Sequence, residues 1–470
     1  MRGRKPVAAV VALGAVLVGC EARDVSSVNR PYEPVVLTGA DVSGLEGIAP
    51  SRLVAFRFVY GSWSQVPVQV DERAVVDLAK PKNATPIGHT APLYTDATTW
   101  TGADPDPTVD ANDEIVFMSR ESFGQARSID DDDRNVHYDL VEPAHVVPGS
   151  GVEVRLADSL KSGSAGWMYL FESDGTLDPS AGRPPAVDYD FNLLSGAYKS
   201  TYDIGGGANP EDSTVTTPRY AAHFSDRWIQ DELQVTAGGA TGVDILDQHK
   251  AGFAGTCARS EGTFSTGGGA MIANKSGPVR AIRSYLGANS GTYTQRDHLM
   301  YESSMEVRTH LRVHAVPPLR DWIDHSPAAS GMRHLSSGDT AGDVIDGSPD
   351  VVPTALPTWT MVRGAQGAVV QTSTIDTDIA GLTDKVIPYY SDDLTPAEEQ
   401  CTGDAHEYGA TGGTVNQNVP TTDPREAGAS RFVSTRRMTM LEPSATLATA
   451  QGLGAQAMTP LSVETAPFTP

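Results

Sequence analysis

Ionisable and non-ionisable side chains alternate without a miss from Glu306 to His314, read as Glu-Val-Arg-Thr-His-Leu-Arg-Val-His. A two-residue period is that of a strand, whose successive side chains face opposite ways. The pattern predicts an extended segment over Met305–Val316. Glu306, Arg308, His310, Arg312 and His314 then share one face, while Val307, Thr309, Leu311 and Val313 enter the core. Short apolar runs punctuated by Gly and Pro recur at Leu53–Tyr60, Val66–Val70, Ile115–Met118, Val152–Leu156, Trp167–Phe171, Val279–Leu286 and Phe432–Leu441. Trp359–Arg363 and Ala368–Thr372 flank Gly364-Ala365-Gln366-Gly367, a hairpin turn. Long helical periodicities are nearly absent. The predicted class is all-β: a small N-terminal β module followed by a large antiparallel β-sandwich.

Composition divides the chain. A Gly/Pro-rich passage containing Ser180-Ala181-Gly182-Arg183-Pro184-Pro185 separates an N-terminal β module (21–180) from the large sandwich domain (181–445). Residues 446–470 form an Ala/Thr/Pro-rich tail, expected to be partly loose.

Arg2, Arg4 and Lys5 precede an apolar run from Val7 to Val18, and Leu17-Val18-Gly19-Cys20 closes it. A basic start, a short apolar stretch and small residues before a break read as a secretory signal over residues 1–20. The run is too short to span a bilayer, which takes about 20 residues. A Cys at this position resembles the lipobox of bacterial lipoproteins. That likeness implies lipidation at Cys20 and a protein exported and lipid-anchored to the bacterial membrane, facing the periplasm or the cell exterior.

The formal charge is −24, and loss of Arg2, Arg4 and Lys5 takes it to about −27. Nucleic acid is excluded as a partner, since binding it requires clustered Lys and Arg against phosphates. An acidic polysaccharide would need a local basic patch. Cys257 and Cys401 are the two remaining thiols in an oxidising compartment, and a disulfide between them is expected. Closing so long a loop contributes on the order of 4 to 5 kcal/mol in the loop-entropy picture.

His310 and His314 would stand about 13 Å apart along a strand, too far to chelate one ion together. The face still gathers groups that transfer protons or hold charge. Upstream, Arg280, Arg283 and Tyr285 leave the Gly277-Pro278 turn, and Arg296, Asp297, His298 and Tyr301 follow. His310, His298 and Tyr301 are the candidates for proton transfer. Arg308, Arg312, Arg283, Tyr285 and His314 are the candidates for holding substrate. An ordinary solvated or salt-bridged strand face carries the same residues. Asp106, Asp110 and Asn112, in an acidic passage, are candidate calcium ligands on a surface turn, Ca2+ being the one cofactor suggested. The EF-hand form is excluded, because Ile115 stands where its loop needs Gly. His223, Asp226, Arg227, Trp228, Asp231 and Glu232 form a further aromatic and ionisable group. Signatures of serine hydrolases, zincins and nucleotide or dinucleotide sites are missing from the sequence.

The turn Gly277-Pro278-Val279-Arg280, leading into a strand and then into the alternating strand, resembles the galactose-mutarotase-like super-sandwich of several polysaccharide lyases and carbohydrate-active proteins. The likeness covers about residues 190–445. It implies a carbohydrate-processing protein, a polysaccharide lyase or hydrolase acting through the His/Arg/Tyr-rich face on a polysaccharide or other glycan. A non-catalytic glycan-binding or structural surface lipoprotein is the alternative. Val66-Pro67-Val68-Gln69-Val70-Asp71-Glu72 and Asp113-Glu114-Ile115-Val116-Phe117-Met118 are similar to phrases of uncharacterised exported bacterial proteins.

Overall fold

The protein was analysed as a computed structural model, which describes residues 26–131, 136–202, 211–225, 229–253, 256–260, 269–287, 293–351, 354–396 and 406–470. Cys20, Cys401, the Cys257 side chain and the group Asp226, Arg227 and Trp228 lie outside the described residues. The fold is all-β, built of antiparallel sheets.

Among the described residues, the largest element is a nine-stranded sheet. Its strands run in the order Ala270–Lys275, Arg280–Leu286, Gln295–Tyr301, Ser304–His310, Phe432–Leu441, Gly367–Thr377, Thr360–Gly364, Arg333–Ser336, Asp343–Val344. Cross-strand partners share a face, so the register sorts its side chains into two sets. The front carries Arg280, Ile282, Leu299, Tyr301, Glu306, Arg308 and Arg437, and the back carries Arg283, Tyr285, Arg296, His298, Val307, Thr309 and Arg436.

The N-terminal module covers part of the front. It is a sandwich of a three-stranded sheet (Pro34–Thr38, Glu114–Met118, Gln69–Asp71) and a five-stranded one, with Leu37, Ile115, Phe117, Leu53, Val154 and Leu170 in its core. Val116, Met118 and Leu93 leave that module to pack on Ile282, Leu299 and Tyr301. Two sheets cover the back. A four-stranded meander (Asp188–Asp190, Asp212–Thr216, Tyr220–Ser225, Ile229–Val235) sets Tyr220 and Phe224 in one core with Ala281, Met300 and Met305. A covering five-stranded sheet runs Thr256–Ser260, Leu246–Phe253, Leu319–His325, Glu407–Val415, Val386–Asp393 and adds Ile323 to the same core.

Three local expectations change. The Val66–Val70 run splits into Ser62–Val66 and Gln69–Asp71, which join different sheets, because Pro67 has no N–H for a continuous ladder. The alternating segment leaves the sheet after His310. Leu311 N–H still donates to Phe432 O at 3.0 Å, but Arg312 and Val313 turn theirs to the Thr294 and Thr422 hydroxyls. The tail is ordered: Leu447–Met458 is a helix, with the Thr446 hydroxyl accepting from Thr449 N–H at 3.3 Å. Ser462–Pro467 then pairs with Val152–Asp158 at the edge of the N-terminal five-stranded sheet, and Phe468 enters its aromatic cluster. An open ladder edge supplies the main-chain partners that composition does not reveal.

Candidate functional site

The motif-rich front face is a clamp between the N-terminal strands and the nine-stranded sheet. Gln69 Oε1 accepts the N–H groups of Val279 and Arg280, both at 3.0 Å, at the Gly277-Pro278 turn. A Cβ on Gly277 would meet the Gln69 amide and push it off these two N–H groups. Arg280, fully buried, donates from Nε to Asp71 at 2.8 Å, from Nη2 to Glu114 at 2.5 Å and from Nη1 to the Tyr301 hydroxyl at 3.1 Å. Glu306 accepts from Arg308 Nε at 2.6 Å and from Arg437 Nη2 at 2.5 Å. Burial alone would raise these carboxyls. The surrounding guanidiniums outweigh it and hold Glu114 and Glu306 each at about 2. Three phrases that looked unrelated in the sequence therefore meet at one point.

The expected site residues do not converge. His310 faces the front, 3.5 Å from Asp297, and Tyr301 lies buried beneath Arg280. His298 is on the back, edge-on to Phe224 and beside Tyr285. Arg308 belongs to the clamp, Arg312 donates to Tyr293 O and Gln295, and His314 contacts the Ala315 carbonyl locally. Arg283 and Tyr285 share the back with His298, and Arg283 is held by Glu211 at 3.0 and 2.6 Å. The strand alternation is correct, but the face it defines is partly covered by the N-terminal module rather than open as a cleft.

The cleft lies on the other side. Between the back of the nine-stranded sheet and the covering sheet is a cavity of about 340 Å³. Arg296, Thr309, Gln371, Ser373, Ser434 and Arg436 line one wall, and Asp321 belongs to the opposite one. His249 Nε2 lies 2.6 Å from Asp321 Oδ1, and Arg436 Nη1 donates to the same oxygen while standing 2.7 Å from His249. Burial would raise the Asp321 carboxyl, yet Arg436, His249 and Arg296 hold it far below the usual carboxylate range. Burial and Arg436 push the His249 imidazole down to about 3. Burial, with Arg283 and Arg296 alongside, keeps His298 neutral as well. His249, Asp321 and Arg436 were not found from the sequence. Arg436-Arg437 in a strand is the signal available, since adjacent arginines there must face opposite sides.

Asp110 accepts from Asn112 through its own loop, and the Asp106 carboxylate accepts from Thr108. Among the described residues, no group of three or more His, Cys, Asp or Glu is placed to hold a metal ion. No helix among them is long and apolar enough to cross a membrane.

No family model and no curated protein matches the chain. Solved structures similar to it in part include the following two. A putative aldose 1-epimerase from Escherichia coli K12 shares 9% identity, with 54% of this chain and 100% of that chain covered and a TM-score of 0.28. A family GH92 alpha-mannosidase from Bacteroides thetaiotaomicron shares 10% identity, with 58% and 33% covered and a TM-score of 0.26.

Proposed function

We propose that the protein binds a carbohydrate in the cleft between the nine-stranded and covering sheets and processes it there. The observation that carries this reading is the lining: hydroxyl and amide groups of Thr309, Thr360, Gln371, Ser373 and Ser434 stand around the Arg296 and Arg436 guanidiniums and the Asp321 carboxylate. Such mixed donors and acceptors, converging in a concave site, orient a hydroxyl-rich ligand. The volume sits at the small end of the roughly 300–1,000 Å³ range of ligand sites, which suits one or two sugar units better than a long chain.

In a lyase or hydrolase built on this cleft, Arg436 and Arg296 would stabilise charge that develops on the substrate. Asp321 and the neutral His249 would orient Arg436. A second reading, glycan binding without chemistry, is favoured by one observation. Asp321, His249 and His298 are all held below neutrality, whereas a general acid or base works best with a value near the operating pH.

A panel of polysaccharides and oligosaccharides, with products followed as new reducing ends and as unsaturated sugars, tests both readings. Product from at least one glycan, reduced by about two orders of magnitude in Asp321→Asn, is expected. Calorimetric binding without product would establish the second reading, and a panel giving neither would overturn both. Export and lipid anchoring at Cys20 are part of the proposal, and Cys20→Ala is expected to move the protein from the membrane to the soluble fraction.

A further inference from the structure

We propose that the nine-stranded wall of the cleft is a seat for one negative charge, so that the ligand is an acidic sugar, carboxylate- or sulfate-bearing, with an apolar flank. The inference rests on the reading of the cleft as a carbohydrate site and narrows its substrate class. It comes from the charge on that wall, where Arg296 and Arg436 line the cleft and the one lining carboxylate among the described residues, Asp321, stands opposite. Arg436 is 3% exposed, and its Nε has no hydrogen-bond partner among the described residues. Arg296, on the neighbouring part of the same wall, brings a second guanidinium to the cleft lining.

The lining carboxylate is already engaged by protein groups. Asp321 Oδ1 is shared between His249 and Arg436. What remains on this wall is hydroxyl and amide groups beside guanidinium charge. A neutral hydroxyl cannot match that as well as an ionised oxygen acid can, because charge-assisted bonds to such donors are roughly twice as strong. The remaining lining is different in kind. Leu311, Leu319, Ile375, Val415 and Phe432 give the cleft an apolar side, which suits a deoxy, acyl or aryl substituent. The chain's overall charge of −24 repels long polyanions, so the ligand is a short acidic sugar.

Calorimetry on the full chain with phenyl β-glucuronide, phenyl β-glucoside and hexanoate decides the matter. The glucuronide is expected to bind at least tenfold more tightly than either of the others. Ser373 is exposed, lines the cleft and pairs in register with Arg436, so it accepts a charged side chain without burial. Ser373→Glu is expected to lower glucuronide affinity at least tenfold, and Ser373→Lys to raise it. A glucoside that binds as tightly as the glucuronide would overturn the charge seat while leaving the carbohydrate reading intact. Hexanoate binding as tightly as the glucuronide would do the reverse. A glucuronide preference untouched by Ser373→Glu would overturn the placement of the seat.

Discussion

The two faces of the nine-stranded sheet bury similar residue types to different ends. On the front, Arg280 meets Asp71 and Glu114 in short ion pairs that weld the N-terminal module to the sandwich, and Arg308 and Arg437 meet Glu306 beside them. On the back, Arg296 and Arg436 stand at a cavity, and the Arg436 Nε is left unpartnered among the described residues. A buried charge costs several kcal/mol unless it is paired. A fully paired cluster is therefore read as architecture, and an incompletely satisfied one as a place prepared for a ligand. Richness in Arg, His and Tyr does not distinguish the two. The pairing does.

Acid separates the faces most strongly. The back layer holds four buried histidines, His249 and His334 at about 3, His325 at about 4 and His298 well below its usual value, each lowered first of all by burial. Their native values lie below the unfolded value of 6.5, so the native state binds fewer protons. The stability they give is present above pH 6.5 and is lost as the pH falls towards 3, by about 1.4 kcal/mol per pH unit for each. The front carboxylates Glu114 and Glu306 are lowered from 4.5 to about 2, so their contribution is complete above pH 4.5 and fades only below it. Urea unfolding combined with hydrogen exchange is expected to show Leu319–His325 and Glu407–Val415 loosening between pH 6.5 and 5, with Arg280–Leu286 still protected. Stability that stays flat across that interval would break the comparison.

Next in size is Arg280→Ala. It leaves Asp71 and Glu114 buried without their main cation, and a loss of about 3 to 5 kcal/mol is expected in chemical denaturation. A loss below about 1 kcal/mol would show the clamp to be incidental. Gly277→Ala pushes the Gln69 amide off two backbone N–H groups and is expected to cost about 1 to 3 kcal/mol, read as a lowered melting temperature. Thr446→Ala removes the cap at the end of the helix opposite to Met458, the residue of that helix that lines the cleft. About 1 kcal/mol is expected, with glycan binding unaltered.

The turn at Gly277-Pro278, the alternation through His310 and the hairpin at Gly364–Gly367 were all legible locally, because turn chemistry and a two-residue period are written in neighbouring residues. The clamp was present in the sequence only as fragments. Gln69, Asp71, Glu114 and Arg280 are separated by up to 211 residues, and no local pattern says that they touch. The same limit hid His249 and Asp321, which reach Arg436 from a different sheet.

By itself the sequence determined the all-β class and the face on which each side chain of the Ser304–His310 strand would stand, since both follow from local stereochemistry. Only the tertiary structure decided which face became an interface and which a cleft. Burial and ionisation there depend on the sheets laid over the strand, and those come from segments more than a hundred residues away.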